Sequence, residues 1–182
     1  MRDAAPPYEG EGPPALWHVS EDAMISRFEP HVSATASSGE PRVWAVDTRH
    51  LPLYWFPREC PRGTFWSTPS TRPADSELLL GASRVHVIEA TWLTRVRDAQ
   101  VVAYRVPETT FERDPEVGGY WLSRKPVEPL EVVELGDLLD LHAGSGIELR
   151  LVASLWPLWD RVVASTLEFS GIRLHNARTR NP

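Results

Sequence analysis

Seventeen prolines interrupt the 182-residue chain, and with 11 glycines they leave room only for short elements joined by many turns. Eight tryptophans fall between those breaks, so the body should be loop-rich and anchored by large aromatic side chains. This suits short strands better than long helices. The length fits one ordinary domain able to bury about two-thirds of its unfolded surface.

The runs between the breaks can be read in order. Residues 1–13 carry Pro, Gly and charge without periodicity and should form a flexible tail, with a single domain over 14–178. Leu16-Trp17-His18-Val19-Ser20 reads as a buried strand that delivers a histidine and a serine to a following helix, Glu21 to Phe28, closed by Pro30. Ser20 suits that helix as its N-cap. Arg42 to Val46, Thr64 to Ser67, Arg84 to Ala90, Val101 to Val106, Tyr120 to Ser123, Val127 to Leu135 and Ile147 to Val152 read as further strands. Pro129 puts the segment from Val127 at a sheet edge. A proline-started helix is expected over Arg49 to Phe56, a short turn after Thr91, a helix capped by Asp137 and ended at Gly144, and a last one from about Ser154. On that last helix Leu155, Trp159, Val162, Val163 and Leu167 line one face. Residues 109–119 read as a loop. The sum is an α+β fold of antiparallel β-sheets with short flanking helices.

Composition narrows the function. A formal net charge of -6 argues against grasping duplex nucleic acid by its phosphates. No apolar run reaches signal-peptide or membrane-span length, and Cys60 is the lone cysteine, so the expectation is a cytoplasmic protein without an internal disulfide. His18, His31, His50, His86, His142 and His175 stand singly, with no metal-ligand spacing. A Cys60 and His50 nucleophile pair is formally available, although Cys60 lies between Glu59 and Pro61 without an activating helix end. Dinucleotide-fold, phosphate-loop and nucleophile-elbow glycine motifs are absent.

Three stretches carry a resemblance. Leu16 to Ser20, then Ile25, Phe28 and Pro30, then Val43-Trp44-Ala45-Val46-Asp47-Thr48 with Leu53-Tyr54, together resemble the opening half of ADP-ribosyltransferase-like domains. Phe111 to Pro115 followed by Tyr120 to Val127 is similar to the acidic loop and Ser-Arg-x-Pro strand of the rifampin-modifying branch. The whole chain also resembles a small bacterial family of unknown function. The resemblance implies split antiparallel sheets and NAD as a substrate whose ADP-ribose passes to an unknown acceptor. By position His18, helped by Ser20, matches the histidine that holds a ribose. Tyr54, with Trp44 in reserve, matches the aromatic that packs on nicotinamide. The acid beside the nicotinamide ribose matches Glu112, Asp114 or Glu116. Arg58, Arg62, Arg124 and Lys125 could clamp phosphate if their loops converge. Val19 stands where the family has glycine, and the Glu-x-Glu signature is missing. Two other readings stay open: a non-catalytic nucleotide-binding or interaction module, and an NAD-dependent RNA phosphotransferase.

Overall fold

A computed structural model of the protein describes residues 15–32, 39–114 and 118–180. The proposed tail, residues 33–38 and Glu116 lie outside the described residues. The strands are β1 (Leu16–Ser20), β2 (Val43–Asp47), β3 (Arg62–Trp66), β4 (Arg84–Glu89), β5 (Val102–Val106), β6 (Phe111–Arg113), β7 (Tyr120–Ser123), β8 (Glu131–Glu134), β9 (Glu148–Val152) and β10 (Glu168–Ile172). The α-helices are α1 (Pro73–Ser76), α2 (Leu93–Asp98), α3 (Leu138–Gly144) and α4 (Trp156–Val163). Among the described residues no helix is long and apolar enough to cross a membrane.

The chain divides into two compact units. The first comprises the described residues up to Trp55 together with Gln100–Gly136, and the second Phe56–Ala99 together with the described residues from Asp137.

The first unit is a six-stranded antiparallel sheet in the order β6-β7-β2-β1-β5-β8. Alternation along its strands gives it two apolar faces. Leu16, Val43, Ala45, Tyr104 and Phe111 pack with Phe28 on one, and Trp17, Val46 and Ala103 pack with Leu51 on the other. Leu51 opens a 3-10 turn, Leu51–Tyr54, that holds Pro52 in its first turn as expected but is shorter than the helix read from sequence. β8 is an edge strand, as expected, but it spans only Glu131–Glu134 of the segment read from Val127, so Pro129 precedes it rather than interrupting its ladder.

Two expectations for this unit are corrected. Residues 21–28 form no helix. Ser20 Oγ accepts from the Asp22 N–H (3.1 Å), as an N-cap would, but Asp22 Oδ1 takes the Met24 N–H (2.8 Å), which a helix capped at Ser20 would give to the Ser20 carbonyl. Tyr104 then ties the segment down, its hydroxyl donating to the Asp22 carbonyl (2.7 Å) and accepting from the Ile25 N–H (3.0 Å). The presumed loop after Thr109 contains β6, because Phe111 finds a place in the core opposite Ser123.

The second unit holds the sheet β10-β3-β4-β9. β9 runs parallel to β4, so this sheet is mixed and the expectation of purely antiparallel sheets fails here. The reason is topological: the chain re-enters the unit at Asp137 and passes through α3 before β9, a crossover that parallel pairing needs. Asp137 caps α3 as predicted, its Oδ1 accepting from the Leu139 N–H (2.8 Å) and the Asp140 N–H (3.1 Å). On α4, Leu155, Trp159 and Val162 are buried against Phe65, Val85 and Val87, each such side chain contributing about 1.5–3 kcal/mol of transfer free energy. Val163, expected on that face, is 49% exposed.

Candidate functional site

β1 pairs with β5 along all five of its residues but with β2 at only two positions, Leu16 opposite Asp47 and Trp17 opposite Val46. β2 continues alongside β7 from Val46 to Val43. Beyond Trp17 the two halves of the sheet therefore part. At that point the His18 side chain replaces the missing ladder, its Nδ1 donating to the Trp44 carbonyl at 2.8 Å. A carbonyl only accepts, so Nδ1 carries the proton and the neutral ring has its acceptor at Nε2. Phe28 packs on the imidazole with ring centroids 4.5 Å apart. Ser20, on the same face as His18, has its hydroxyl engaged in the turn at Asp22.

The opposite face carries the other predicted binding residues. Tyr120 meets Trp44 edge to face (6.1 Å) and Tyr54 edge to face (6.4 Å), and the two tyrosine hydroxyls are hydrogen-bonded to each other. Tyr120 is thus the link between Trp44 and Tyr54, and sequence reasoning had it only as a strand residue. Glu112 stands opposite Leu122, which stands opposite Trp44, so the three form a cross-strand row on this face. Two strand spacings put Glu112 about 10 Å from Trp44 along that row. Glu112 is exposed on β6, an edge strand. Asp114 is half-buried, and its N–H donates to the Tyr120 carbonyl (2.9 Å). The sheet therefore brings Tyr54, Trp44 and Glu112 to one face and His18 and Ser20 to the other, with the parted strands between them.

A second group was not foreseen. Asp47 Oδ1 accepts from both the N–H (3.0 Å) and Nδ1 (2.7 Å) of His50, with the two side chains 23% and 16% exposed. Burial pushes the Asp47 carboxyl up. The His50 bonds and charge, with the Arg113 charge, outweigh it and hold the group below its ordinary value. The Asp47 N–H in turn donates to the Gly119 carbonyl (3.0 Å). The only sequence signal for this pair is the three-residue spacing of Asp47 and His50.

In the second unit Cys60 is fully buried, and burial pushes its thiol up to about 12 against the lowering charges of Arg62 and Arg95. It is not an activated nucleophile. Arg62 is buried as well, donating Nη1 to the Cys60 carbonyl (2.9 Å) with its guanidinium over the Phe56 ring, so it is no member of a surface phosphate clamp. Arg124 and Arg58 lie exposed beside Glu40 and Glu59 respectively. Among the described residues no group of three or more His, Cys, Asp or Glu could hold a metal ion. Two histidines that looked isolated in sequence do meet: His86 of β4 and His142 of α3, with 2.9 Å between Nδ1 and Nε2.

A family model described as a family of unknown function (DUF6886) matches residues 17–177. No curated protein and no solved structure matches the chain.

Proposed function

The chain belongs to this family of unknown function, and we propose that it binds NAD and transfers ADP-ribose from it to an acceptor, in the manner of ADP-ribosyltransferase-like domains. The observation that carries the reading is the parting of β1 from β2 after Trp17, with His18 hydrogen-bonded across the gap. A ligand entering there has a polar imidazole on one side and the Trp44, Tyr120 and Tyr54 rings on the other. In the reaction the bond between ribose and nicotinamide breaks, nicotinamide leaves with the electron pair, and the acceptor's nucleophile bonds to the sugar carbon as it loses a proton. An oxocarbenium-like sugar is stabilised by nearby negative charge. Glu112 is the described carboxylate in the row of Trp44 and takes that role.

A second reading, a nucleotide-binding module without turnover, has its own support: Glu112 is exposed at a sheet edge, where water screens the charge that the transition state needs. Calorimetric titration with NAD, followed by assay of free nicotinamide in the same samples, separates the two. Wild type should bind and release nicotinamide. His18→Gln, which keeps a donor for the Trp44 carbonyl, should weaken binding, and Glu112→Gln should bind but lose about a hundredfold in release. Binding without release selects the module, and no binding by wild type ends both readings.

A further inference from the structure

We propose that the buried His86–His142 pair is an acid-sensitive latch that holds α3 on the sheet of the second unit when both rings are neutral and lets it go when they are protonated. The hydrogen bonds fix the protonation state. His142 Nδ1 donates to the Leu138 carbonyl at 2.6 Å within α3, so its Nε2 is an acceptor. The proton between the two rings therefore belongs to His86 Nδ1, which donates to His142 Nε2 at 2.9 Å. That leaves His86 Nε2 as an acceptor, and it is buried without a hydrogen-bond partner among the described residues. Both residues are enclosed, at 0% and 1% exposure, and Phe56 packs against both rings, 5.5 Å from His86 and 5.0 Å from His142.

A proton cannot be added to this arrangement without breaking it. On His142 it would occupy Nε2 and face the N–H of His86. On His86 it would create a buried cation with no acceptor for the new N–H. The surrounding charges oppose the second event. Arg62 on β3 and Arg84 on β4 are cations acting on His86, and β9 places Leu149 opposite it. On α3 the nearest acid in sequence, Asp140, is exposed, and α2, which packs on α3, carries Arg95, Arg97 and Asp98 on its exposed side. Burial, joined for His86 by these charges, holds both imidazoles below the ordinary 6.5.

The sign follows from linkage. A histidine held neutral by the fold takes up its proton near 6.5 once exposed, so closure is complete above that pH and weakens below it. Each proton gained makes opening about tenfold easier per pH unit, about a hundredfold where both rings are exposed together. α3 is only seven residues long and leads directly into β9, so it is the element that such opening frees.

Hydrogen exchange of the intact protein, corrected for the intrinsic pH dependence of exchange, tests this between pH 7.5 and 5. The expected result is a steep loss of protection in residues 138–144 below about pH 6.5, with the α4 peptide unchanged. The double variant His86→Gln, His142→Gln, which keeps hydrogen-bonding groups but cannot titrate, should lose the response. Flat protection of α3 in wild type overturns the latch. So does loss in α3 and α4 together, which is global unfolding. Should the variant fail to fold, NMR titration of the wild-type histidines decides: both rings staying neutral until α3 opens supports the latch, and titration of either near 6.5 in the closed form overturns it.

Discussion

Gly63 stands opposite Gly171 in the ladder between β3 and β10, and the indole of Trp159 lies over both. A Cβ at Gly171 would come 2.6 Å from Trp159 Cζ2, and one at Gly63 2.8 Å from Cε3. The missing side chains on adjacent strands form the flat seat on which α4 rests. Gly171→Ala and Gly63→Ala should each cost about 1–3 kcal/mol, the usual range for overpacking a closed core. Trp159→Ala should cost about 3–5 kcal/mol. Urea unfolding measures all three. Because the alanine methyls and the indole compete for one space, either glycine substitution should cost markedly less in a Trp159→Ala background, and equal costs in both backgrounds would refute the seat.

In the first unit Gly119 has a positive φ of 81°, and a Cβ there would overlap the His50 imidazole. Gly119→Ala therefore carries two penalties, left-handed backbone and collision, and should cost about 2–4 kcal/mol. Removing the ring relieves only the second. Gly119→Ala combined with His50→Ala should be more stable than the sum of the single changes by about 1 kcal/mol or more in a double-mutant cycle.

These seats show where sequence stops being informative. Short apolar runs between prolines and glycines marked β2, β4, β5 and β7 closely, and the Asp137 cap followed from a single residue with one physical meaning. What failed depended on partners far along the chain. The helix expected after Ser20 is displaced by bonds from Tyr104, about 80 residues on, and β10 was missed because Glu-Phe-Ser-Gly-Ile shows no alternation that would mark a strand. The parallel pairing of β9 with β4 depends on where the chain leaves and re-enters the second unit. At the candidate site His18 was legible as a polar residue inside an apolar run that backbone groups could satisfy, but which carbonyl it meets was not, because the Trp44 side chain plays no part in the bond. His86 and His142 are separated by 56 residues, and no local spacing could join them.

Asp47 supports a pH prediction with a definite sign. Its folded value lies below 3.8, so its contribution to stability is present above the unfolded value and is lost as pH falls through the folded one. Asp47→Asn should lower stability near neutral pH by about 1–3 kcal/mol, the range for a hydrogen-bonded charged group. The gap between wild type and variant should shrink below about pH 4. Denaturant titrations at pH 7 and pH 3.5 check this, and a gap that stays constant would show that Asp47 acts only as a neutral acceptor.

Cys60 should be chemically silent in the folded protein. Its Sγ has only a weak contact with the Pro61 carbonyl (3.7 Å), and burial outweighs the nearby arginines to hold the thiol near 12. At pH 8 the thiolate fraction is then about one part in ten thousand, and the sulfur is also out of reach of reagent. An aromatic disulfide reagent should therefore leave native protein unlabelled over an hour at pH 8 and label one thiol per chain at once in denaturant. Labelling in the native state would have to proceed through opening of the second unit, so its rate would report that opening directly. Below pH 6.5 even an exposed thiol is at most about 1% thiolate, and a thiol-selective reagent that works in acid, such as a dipyridyl disulfide, extends the measurement there. If the α3 latch opens alone and leaves Cys60 covered, labelling should stay slow in acid. Fast labelling that coincides with loss of α3 protection would mean that the helix and the Cys60 turn open as one.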